Sequence, residues 1–353
     1  MEKVLIFIQD AVGGAERMSV LIGKALAKEG KEVIYILIEN SLSSSIVDFI
    51  PKDAKIIRIP MGNSIKTTLF MLSVIKRIKP HFVFSSVLNI NNKILPFRFL
   101  FPKTKIIIRC DNYLYTYNKR QRNIVASLYP KADIIIGQTE EMRDELIALN
   151  KFREKQVITL HNPIDIDTIN SKLNGVEDPY PTNGLKHFVA SGRFAYQKGF
   201  DFLIDAFSKV SKERDDCDLY IIGDFEYGNR DVYNLVKEKV KKYGIERKVH
   251  CLGYQNNPYP YIKYADCFVL SSRWEGLPNV LIEALHLGTP AAAFRCIPII
   301  ERIINDGATG FTAEKENVDS LAQAMSKSVD LGRIQSSYKS SKIEDFTKLF
   351  NYE

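Results

Sequence analysis

The feature that most constrains this 353-residue chain is a regular alternation of short apolar, β-branched runs with amphipathic helical patterns. Continuous apolar runs are typical of parallel strands that helices cover on both faces. The pattern therefore predicts an α/β chain of two doubly wound, Rossmann-like domains facing each other across a cleft, with ligands bound beyond the carboxyl ends of the strands. The predicted strands are VLIFI, EVIYILI, KIIRI, FVFSS, KIIIR, DIIIG and QVITL, followed by KHFVAS, DLYIIG, KVHCL, DCFVLS and TPAAAF.

The boundary between the two predicted domains follows a change in composition. The stretch "SKLNGVEDPYPTNGLK" is rich in Gly, Pro, Asn and Asp, which is typical of a linker, and the strand–helix alternation restarts after it. We expect a first domain over residues 1–168 and a second over 169–342. A C-terminal helix at about 343–353 is expected to pack back on the first domain.

Charge and cysteine usage narrow the possible partners. The net charge is +7, and between Ala54 and Ala132 the chain has 15 basic residues and one acid, Asp111. This asymmetry predicts a polyanionic partner, such as nucleic acid, anionic lipid or a diphosphate, or else a solvated basic face. No nucleic-acid-binding motif is present, so nucleic acid is not expected as a partner. The five scattered cysteines favour a reduced compartment, and no apolar run approaches the roughly 20 residues of a membrane span.

Two glycine-bounded loops follow predicted strands. In "QDAVGGAER", Gly13 and Gly14 precede a helix start, whose free amides favour anions, although a tight turn without a ligand has the same sequence. In "SGRFAYQKGF", Arg193 and Lys198 lie in one loop ahead of an amphipathic helix. Two cations presented in this way suit a diphosphate, and the lysine precedes the glycine, which excludes a Walker loop.

Two carboxylates flank a third predicted helix start. In "RWEGLPNVLIEAL", Glu275 lies in a loop and Glu283 lies among apolar residues five positions after Pro278. A carboxylate among apolar residues is costly without a partner, so Glu283 is expected to accept hydrogen bonds from ligand hydroxyls, as on a ribose. The alternative is a half-exposed helix residue. Amides from Asn279 onward would form an anion site beside it. These features together describe a nucleoside-diphosphate site.

At this point the chain resembles glycosyltransferase family 4, retaining enzymes of the GT-B fold. The resemblance rests on "SGRFAYQKGFDFLIDAF", on the acid pair of "EGLPNVLIEAL", and on "GTPAAAF" leading to "IIERIINDGATGF". The weaker segments "GGAER" and "LHNPID" extend it into the first half, so that it covers nearly the whole chain.

The resemblance implies a role for each matching residue. Arg193 and Lys198 would bind the donor pyrophosphate and stabilise the leaving diphosphate, while Glu275 would contact the transferred sugar and Glu283 the ribose. The family often has a histidine where this chain has Asp111, which could act as a base or as a hydroxyl ligand. The remaining donor-binding candidates are Gly14 across the cleft, Gly253 and Tyr254 beside the nucleobase, and amides of Leu277, Asn279 and Val280.

The predicted function is a hexosyltransferase reaction, from a nucleotide sugar, with UDP expected, to a glycan acceptor. No cofactor or metal is expected, because the cations and amides stabilise the leaving group. Alternatives are a nucleotide-sugar epimerase of the same architecture and a non-enzymatic protein that binds anionic lipid or nucleic acid. Hydrolysis or epimerisation without an acceptor would favour the epimerase.

The basic first half also predicts a location. Residues 66–80 and 91–105 set Phe, Leu and Ile beside Lys and Arg, with no acid. Such a surface can lie on an anionic membrane. We therefore expect a cytoplasmic protein, peripheral at the inner face of the cell membrane, whose acceptor is polyprenyl-diphosphate-linked, a soluble glycan being the other possibility. The alternative is that Phe70, Leu72 and Ile75 are ordinary core.

Overall fold

The structure is a computed structural model that describes residues 1–351 except 12, 40–45, 61, 154, 183 and 225–229. The last two residues of the predicted C-terminal helix lie outside the described part. The strands are β1 Lys3–Gln9, β2 Glu32–Ile38, β3 Lys55–Ile59, β4 Phe82–Ser85, β5 Lys105–Arg109, β6 Ile134–Gly137, β7 Val157–Thr159, β8 Lys186–Ser191, β9 Cys217–Ile222, β10 Val249–Gly253, β11 Cys267–Leu270, β12 Ala291–Phe294 and β13 Gly310–Ala313. The helices are α1 Gly14–Lys28, α2 Ser64–Ile78, α3 Leu88–Ile94, α4 Lys119–Leu128, α5 Glu140–Ile147, α6 Ile166–Leu173, α7 Phe200–Glu213, α8 Arg230–Tyr243, α9 Tyr259–Tyr264, α10 Asn279–His286, α11 Ile300–Ile303, α12 Val318–Ser328 and α13 Ile343–Thr347.

The chain divides into two compact units. Unit 1 comprises Met1–Pro163 and Ser340–Glu353, and unit 2 comprises Ile164–Lys339. The chain passes from unit 1 to unit 2 after Pro163, five residues before the predicted end of the first domain at residue 168, because α6 belongs wholly to unit 2. Lys172 at its end donates from Nζ to the Asn256 carbonyl at 2.6 Å, and Asn257 donates from its side-chain amide to the Lys172 carbonyl at 2.6 Å.

Each unit is built on one parallel sheet. The strand order is β3-β2-β1-β4-β5-β6-β7 in unit 1 and β10-β9-β8-β11-β12-β13 in unit 2. Every recorded strand pair is parallel. The fold is therefore the predicted pair of Rossmann-like domains of the GT-B class. The order reverses beside the first strand of each unit, which gives a topological switch point at β1/β4 and another at β8/β11.

Apolar runs form central strands here because both faces of each sheet are covered. In β1, the alternating side chains of Leu5 and Phe7 pack into one buried cluster, whereas Val4, Ile6 and Ile8 pack into a second. All five are fully buried. Successive side chains point to opposite faces of a strand, so a continuous apolar run is what a strand between two helical layers requires.

The C-terminal segment packs on unit 1. Helix α13 leads into a 3-10 turn over Lys348–Phe350. Phe346 and Phe350 are fully buried in the cluster that contains Val4 and Ile6. The Phe350 ring lies 5.6 Å from that of Phe82 on β4. Each of these buried rings adds a large apolar area to the core of a unit that is otherwise formed by the start of the chain.

One strand of unit 2 was missed by the sequence prediction. Strand β13 reads Gly-Phe-Thr-Ala, which contains no apolar run. It pairs with β12 along its length. Gly310 has a φ of +153°, and a Cβ there would lie 1.9 Å from the carbonyl oxygen of Ala291, so only glycine permits this close approach.

Among the residues that the structure describes, every helix is too short or too polar to cross a lipid bilayer.

Candidate active site

The switch point of unit 2 brings two predicted loops to one edge of the sheet. Strands β8 and β11 are neighbours, with Phe188 opposite Cys267 and Val189 opposite Phe268. The loop 192–199 follows β8 and the loop 271–278 follows β11, so both leave the sheet at the carboxyl ends of adjacent strands. Open parallel sheets bind their ligands at such a position.

Lys198 and Glu275, both predicted site residues, form an ion pair between these loops. The Lys198 Nζ donates to the Glu275 Oε1 at 2.7 Å, and the Ser272 hydroxyl donates to the same oxygen at 2.6 Å. The side chains are 19% and 8% exposed. A carboxylate this buried needs such partners, and the ammonium reaches solvent enough to take a further anionic ligand.

The two loops are also tied through their backbones. Gly199 has a φ of +62°, and a Cβ there would lie 2.1 Å from the carbonyl oxygen of Ser271. The Ser271 hydroxyl donates to the Lys198 carbonyl oxygen at 2.9 Å. Glycine is therefore required where the β8 loop presses on the β11 loop and turns into α7.

Arg193 lies in the same loop as Lys198 but differs from it in exposure and in hydrogen-bond partners. Its side chain is exposed, and no described residue forms a hydrogen bond or an ion pair with its guanidinium. Lys198 is thus held in place by protein partners, whereas Arg193 is exposed and has no side-chain partner among the described residues. A guanidinium with free donors is well suited to a phosphate that arrives from solution.

Glu283 is buried on α10, as its apolar surroundings predicted. It is 8% exposed, between Ile282 at 3% and Ala284 at 0%. The helix begins at Asn279 after Pro278. The Asn279 amide donates to the Leu277 carbonyl oxygen at 2.9 Å, so this predicted ligand donor is engaged within its own loop. No described residue accepts from the Val280 amide, which leaves it as the donor at the helix start.

The ends of three neighbouring strands meet next to this region. The Gly223 amide after β9 donates to the Gly253 carbonyl at 2.9 Å, and the Gly192 amide after β8 donates to the Ile222 carbonyl at 2.9 Å. Gly253 ends β10 with a φ of +70°. Tyr254, the next residue, is 48% exposed. The predicted Gly253–Tyr254 pair therefore belongs to the same sheet edge as Arg193 and Lys198.

The sequence prediction missed Arg273, which is 6% exposed between the same two loops. Its guanidinium pairs with both carboxylate oxygens of Asp201, at 2.9 and 2.6 Å, and donates to the Tyr196 carbonyl oxygen at 2.7 Å. The available signal was an arginine two residues before Glu275 together with an acid two residues after Gly199.

The switch point of unit 1 contains the predicted Gly14. Helix α1 begins at Gly14, and a Cβ at the preceding Gly13 would lie 2.4 Å from the Glu16 Oε2, a carboxylate that is 8% exposed. The hydroxyls of Ser19 on α1 and Ser86 after β4 lie 3.1 Å apart and are hydrogen-bonded. Both hydroxyls are fully buried, so they join α1 to the segment after β4 within the protein.

Asp111 follows β5 in unit 1 and is half-buried. The Tyr117 hydroxyl donates to its Oδ1, and burial raises the pKa of the Asp111 carboxyl. The adjacent Arg109 is 2% exposed and donates to the side-chain oxygens of Gln138, at 2.6 Å, and Asn162. Burial lowers the pKa of Arg109 to about 10. The role of Asp111 as a base or as a hydroxyl ligand stays a prediction.

Comparison with protein families addresses unit 2 directly. Residues 180–342 match the family model of glycosyl transferases group 1. Unit 2 is a group 1 glycosyltransferase domain. The Lys198–Glu275 pair, Arg193 and Glu283 all lie within the matched residues of this domain.

Similar proteins extend the match to the rest of the chain. An uncharacterised glycosyltransferase of Methanocaldococcus jannaschii is 31% identical over 247 residues, which are 66% of this chain and 60% of that protein. The N-acetylgalactosamine-N,N'-diacetylbacillosaminyl-diphospho-undecaprenol 4-alpha-N-acetylgalactosaminyltransferase of Campylobacter jejuni is 27% identical over 361 residues, covering 96% of this chain and 93% of that enzyme.

A solved structure shows the same fold. The crystal structure of Anabaena HepE in complex with UDP-glucose has a TM-score of 0.80, at 14% identity, over 99% of this chain and 98% of HepE. Polysaccharide biosynthesis glycosyltransferases also occur among the sequence relatives, including the amylovoran biosynthesis glycosyltransferase AmsD of Erwinia amylovora, 28% identical over 87% of this chain.

Proposed function

We propose that this chain is a retaining glycosyltransferase that moves a hexose or N-acetylhexosamine from a UDP-sugar to a glycan acceptor. The observation that carries the proposal is the Lys198–Glu275 pair, in one loop with an exposed Arg193 that pairs with no described residue, at the switch point of a group 1 glycosyltransferase domain. A cation held by a carboxylate, next to a second cation with free donors, is suited to a leaving diphosphate and to the sugar attached to it.

Each of these residues has a separate role in the proposed reaction. As the bond between the sugar C1 and the diphosphate oxygen breaks, charge develops on the phosphate oxygens, and Lys198 and Arg193 stabilise it. The acceptor hydroxyl bonds to C1 on the same face, and its proton passes to the departing phosphate oxygen. Glu275 faces the transferred sugar. In this proposal the reaction uses no metal, because the two cations and the Val280 amide provide the stabilising charge.

The nucleoside is proposed to lie farther along the same sheet edge. Glu283, which is buried one turn into α10, accepts hydrogen bonds from the two ribose hydroxyls, and Gly253 and Tyr254 lie by the base. HepE, which shares this fold, was crystallised with UDP-glucose, which supports UDP as the nucleotide.

The acceptor is proposed to be linked to a polyprenyl diphosphate in a membrane. Five large apolar side chains of unit 1 are exposed: Ile65, Leu69 and Phe70 on α2, and Phe99 and Leu100 after α3, at 71%, 62%, 42%, 73% and 52%. Four exposed basic residues lie near them in the chain: Lys66, Lys76, Arg77 and Lys103. We call residues 65–77 and 99–103 the apolar–basic segments. Phe70, Leu72 and Ile75 had ordinary core as their alternative. Leu72 and Ile75 are indeed buried in the core, whereas Phe70 is exposed.

An anionic bilayer surface is the occupant that fits these segments. Exposed aromatic and aliphatic side chains insert among headgroups, and neighbouring lysines are attracted to anionic lipid. The name of the Campylobacter jejuni relative specifies an undecaprenyl-diphosphate-linked acceptor, which supports the same substrate class. We therefore place the protein at the inner face of the cell membrane, in the assembly of surface polysaccharide or of a glycoprotein glycan.

A thermal-shift screen followed by a transfer assay tests the proposal. UDP, GDP, ADP and their sugars are added to the full chain, and a ligand at 100 times its dissociation constant adds about 2.7 kcal/mol to stability. The stabilising nucleotide sugar is then offered to undecaprenyl-diphosphate-linked and soluble glycans. Stabilisation by UDP and transfer with retention support the proposal. No response to any nucleotide would overturn it, and epimerisation or hydrolysis without an acceptor would favour an epimerase.

A further inference from the structure

The residues on either side of Lys198 are held by one buried arginine. The Arg273 guanidinium binds the Tyr196 carbonyl oxygen, two residues before Lys198, and the Asp201 carboxylate, three residues after it. Its central carbon also lies 3.9 Å from the centroid of the Tyr196 ring and 4.3 Å from that of Phe202. Arg273 therefore spans the short turn that contains Lys198.

Backbone contacts make the same connection. The Arg273 amide donates to the Gln197 carbonyl oxygen at 2.7 Å, and the Gln197 side-chain amide donates to the Trp274 carbonyl oxygen at 2.9 Å. The residue directly before Lys198 is thus bonded twice to the β11 loop. These contacts restrict the turn over Tyr196–Lys198, and with it the backbone from which the Lys198 side chain extends.

The chemistry of the pair explains why an arginine is required. A guanidinium binds a carboxylate through two parallel donors and stacks on aromatic faces, and an ammonium does neither. Asp201 lies in the first turn of α7, where a carboxylate is favoured by the helix dipole. The pair is 7% and 17% exposed. An exposed pair would be weakly ordered, but this one is shielded enough to fix its loop.

We propose that Arg273 is a positioning residue that fixes Lys198 for the leaving diphosphate without contacting the substrate. The inference rests on the proposed function for its consequence in catalysis, but the positioning itself is a property of the protein without ligand. Replacing Arg273 by lysine keeps the charge and removes both the two-donor geometry and the stacking. Lys198 then loses its fixed backbone while its ion pair with Glu275 remains possible.

The other end of the same helix offers a matched control. Arg214 follows α7 and pairs with Asp216 at 2.8 Å and with Asp330 at 3.2 Å. Arg214→Lys therefore removes an arginine–carboxylate pair of the same domain, away from the loops at the switch point. The two substitutions have the same chemistry, so a difference between them reports on position.

The first test needs no ligand. The wild type, Arg273→Lys and Arg214→Lys are treated with an amine-acylating reagent under native conditions, and modification of Lys198 is followed by mass spectrometry. We expect modification of Lys198 to accelerate at least threefold in Arg273→Lys and to stay unchanged in Arg214→Lys. If Arg273→Lys folds poorly, Asp201→Asn, which keeps the size of the side chain, replaces it. Modification of Lys198 should also be faster in Asp201→Asn than in the wild type. Equal rates in all folded variants would overturn the inference.

The second test asks whether Arg273 acts through Lys198. Dissociation constants for UDP and for uridine are measured by calorimetry in the wild type, Arg273→Lys, Lys198→Met and the double variant. We expect Arg273→Lys to weaken UDP binding about tenfold and uridine binding less than twofold, and to have less than a twofold effect in the Lys198→Met background. A tenfold loss in both backgrounds would show an independent role and overturn the inference. A wild type that binds no nucleotide would instead count against the proposed function, and the acylation result would still decide the positioning.

Discussion

The two switch points of the molecule share a topology and differ in their chemistry. At β8/β11 in unit 2, two buried ion pairs and the exposed Arg193 lie in two loops that are hydrogen-bonded to each other. At β1/β4 in unit 1, two glycines precede α1 and a pair of serine hydroxyls joins α1 to the segment after β4. The same topology therefore has cations at one edge and, at the other, serine hydroxyls that are buried in a contact between a helix and a strand end.

Under the proposed function, this difference predicts where a nucleotide sugar gains its binding energy. Charge-assisted hydrogen bonds are about twice as strong as neutral ones, so we expect the unit 2 edge, rather than the unit 1 edge, to hold the diphosphate. Substitutions that act only on one edge should therefore separate donor binding from the use of the acceptor.

The largest expected effect follows from removing a cation at the unit 2 edge. Lys198→Ala and Arg193→Ala should each lower kcat by roughly 10²- to 10³-fold, because a contact to the leaving group is worth about 2–4 kcal/mol in the transition state. Steady-state kinetics with the identified donor measure the effect.

Lys198→Ala and Arg193→Ala should differ in their thermal stability. Lys198→Ala leaves Glu275 buried beside only the Ser272 hydroxyl, so it should also lower the thermal stability, whereas Arg193→Ala should not. Ser19→Ala at the unit 1 edge is the comparison variant for kcat. Turnover close to wild type in both cation variants would show that the diphosphate binds elsewhere.

The two glutamates of the same edge should act on different kinetic constants. Glu283→Gln should weaken nucleotide binding by about 1.5–3 kcal/mol, the usual value of hydrogen bonds to a charged group, with little change in kcat. Glu275→Gln should mainly lower kcat, because charge develops at the sugar that it faces. Calorimetry with UDP and kinetics with the full donor separate the two. If Glu275→Gln raised only the KM for the donor, the assigned roles would be wrong.

The comparison also shows what the sequence was able to predict. Continuous apolar runs such as "VLIFI" and "DCFVLS" predicted central strands, because burial on both faces imposes that composition. Strand β13 was missed because a four-residue edge strand of Gly, Phe, Thr and Ala depends on its neighbour rather than on its own composition.

The sequence indicated candidate site residues where a residue is unusual in its own local segment. Glu283 stood out as an acid among apolar residues, and Arg193 and Lys198 as cations between glycines. Arg273 was missed because its importance comes from Asp201, 72 positions earlier, and no local pattern connects the two. The engaged Asn279 amide was likewise missed, because it depends on the backbone of Pro278, whose φ of −79° and ψ of 81° bring the Asn279 amide to the Leu277 carbonyl oxygen.

The apolar–basic segments of unit 1 extend the contrast to the surface. Lys76 and Arg77 lie in the last turn of α2, and Lys241 and Lys242 lie in the last turn of α8 in unit 2. Reversing the α2 pair to glutamate should weaken binding to anionic vesicles, by about 1 kcal/mol for each basic charge removed, whereas reversing the α8 pair should not. UDP binding should be unchanged in both.

Co-sedimentation with vesicles of phosphatidylglycerol and phosphatidylcholine measures this effect, with a salt titration as a check on its electrostatic origin. Leu69→Ser together with Phe99→Ser provides the apolar arm, since both side chains are exposed and their loss leaves the core unchanged. Arg98 is not used, because it pairs with Asp133. A wild type that stays in the supernatant at low salt would contradict the membrane placement.

The smallest expected effect concerns the amino ends of the strands, which lie opposite the switch-point loops in each sheet. His81, before β4 in unit 1, accepts a hydrogen bond from the Lys3 amide at 3.0 Å. His187, at the start of β8 in unit 2, stacks on Tyr180 at 4.3 Å, and its buried Nδ1 has no partner among the described residues. Burial lowers the pKa of His187, although nearby Asp266 and Asp218 act in the opposite direction.

A lowered histidine pKa makes the stability of unit 2 depend on pH. As the pH falls through about 6.5, the unfolded chain takes up a proton that folded His187 does not, so the folded state loses stability on the acid side and is unaffected above it. Urea unfolding at about pH 7.5 and about pH 5.5 should therefore show a smaller acid loss in His187→Phe, which keeps the ring stack and cannot titrate. His286→Gln, an exposed histidine of the same unit, is the control and should retain the acid loss of the wild type. An acid loss in His187→Phe equal to that of the wild type would show that another group governs the acid stability of unit 2.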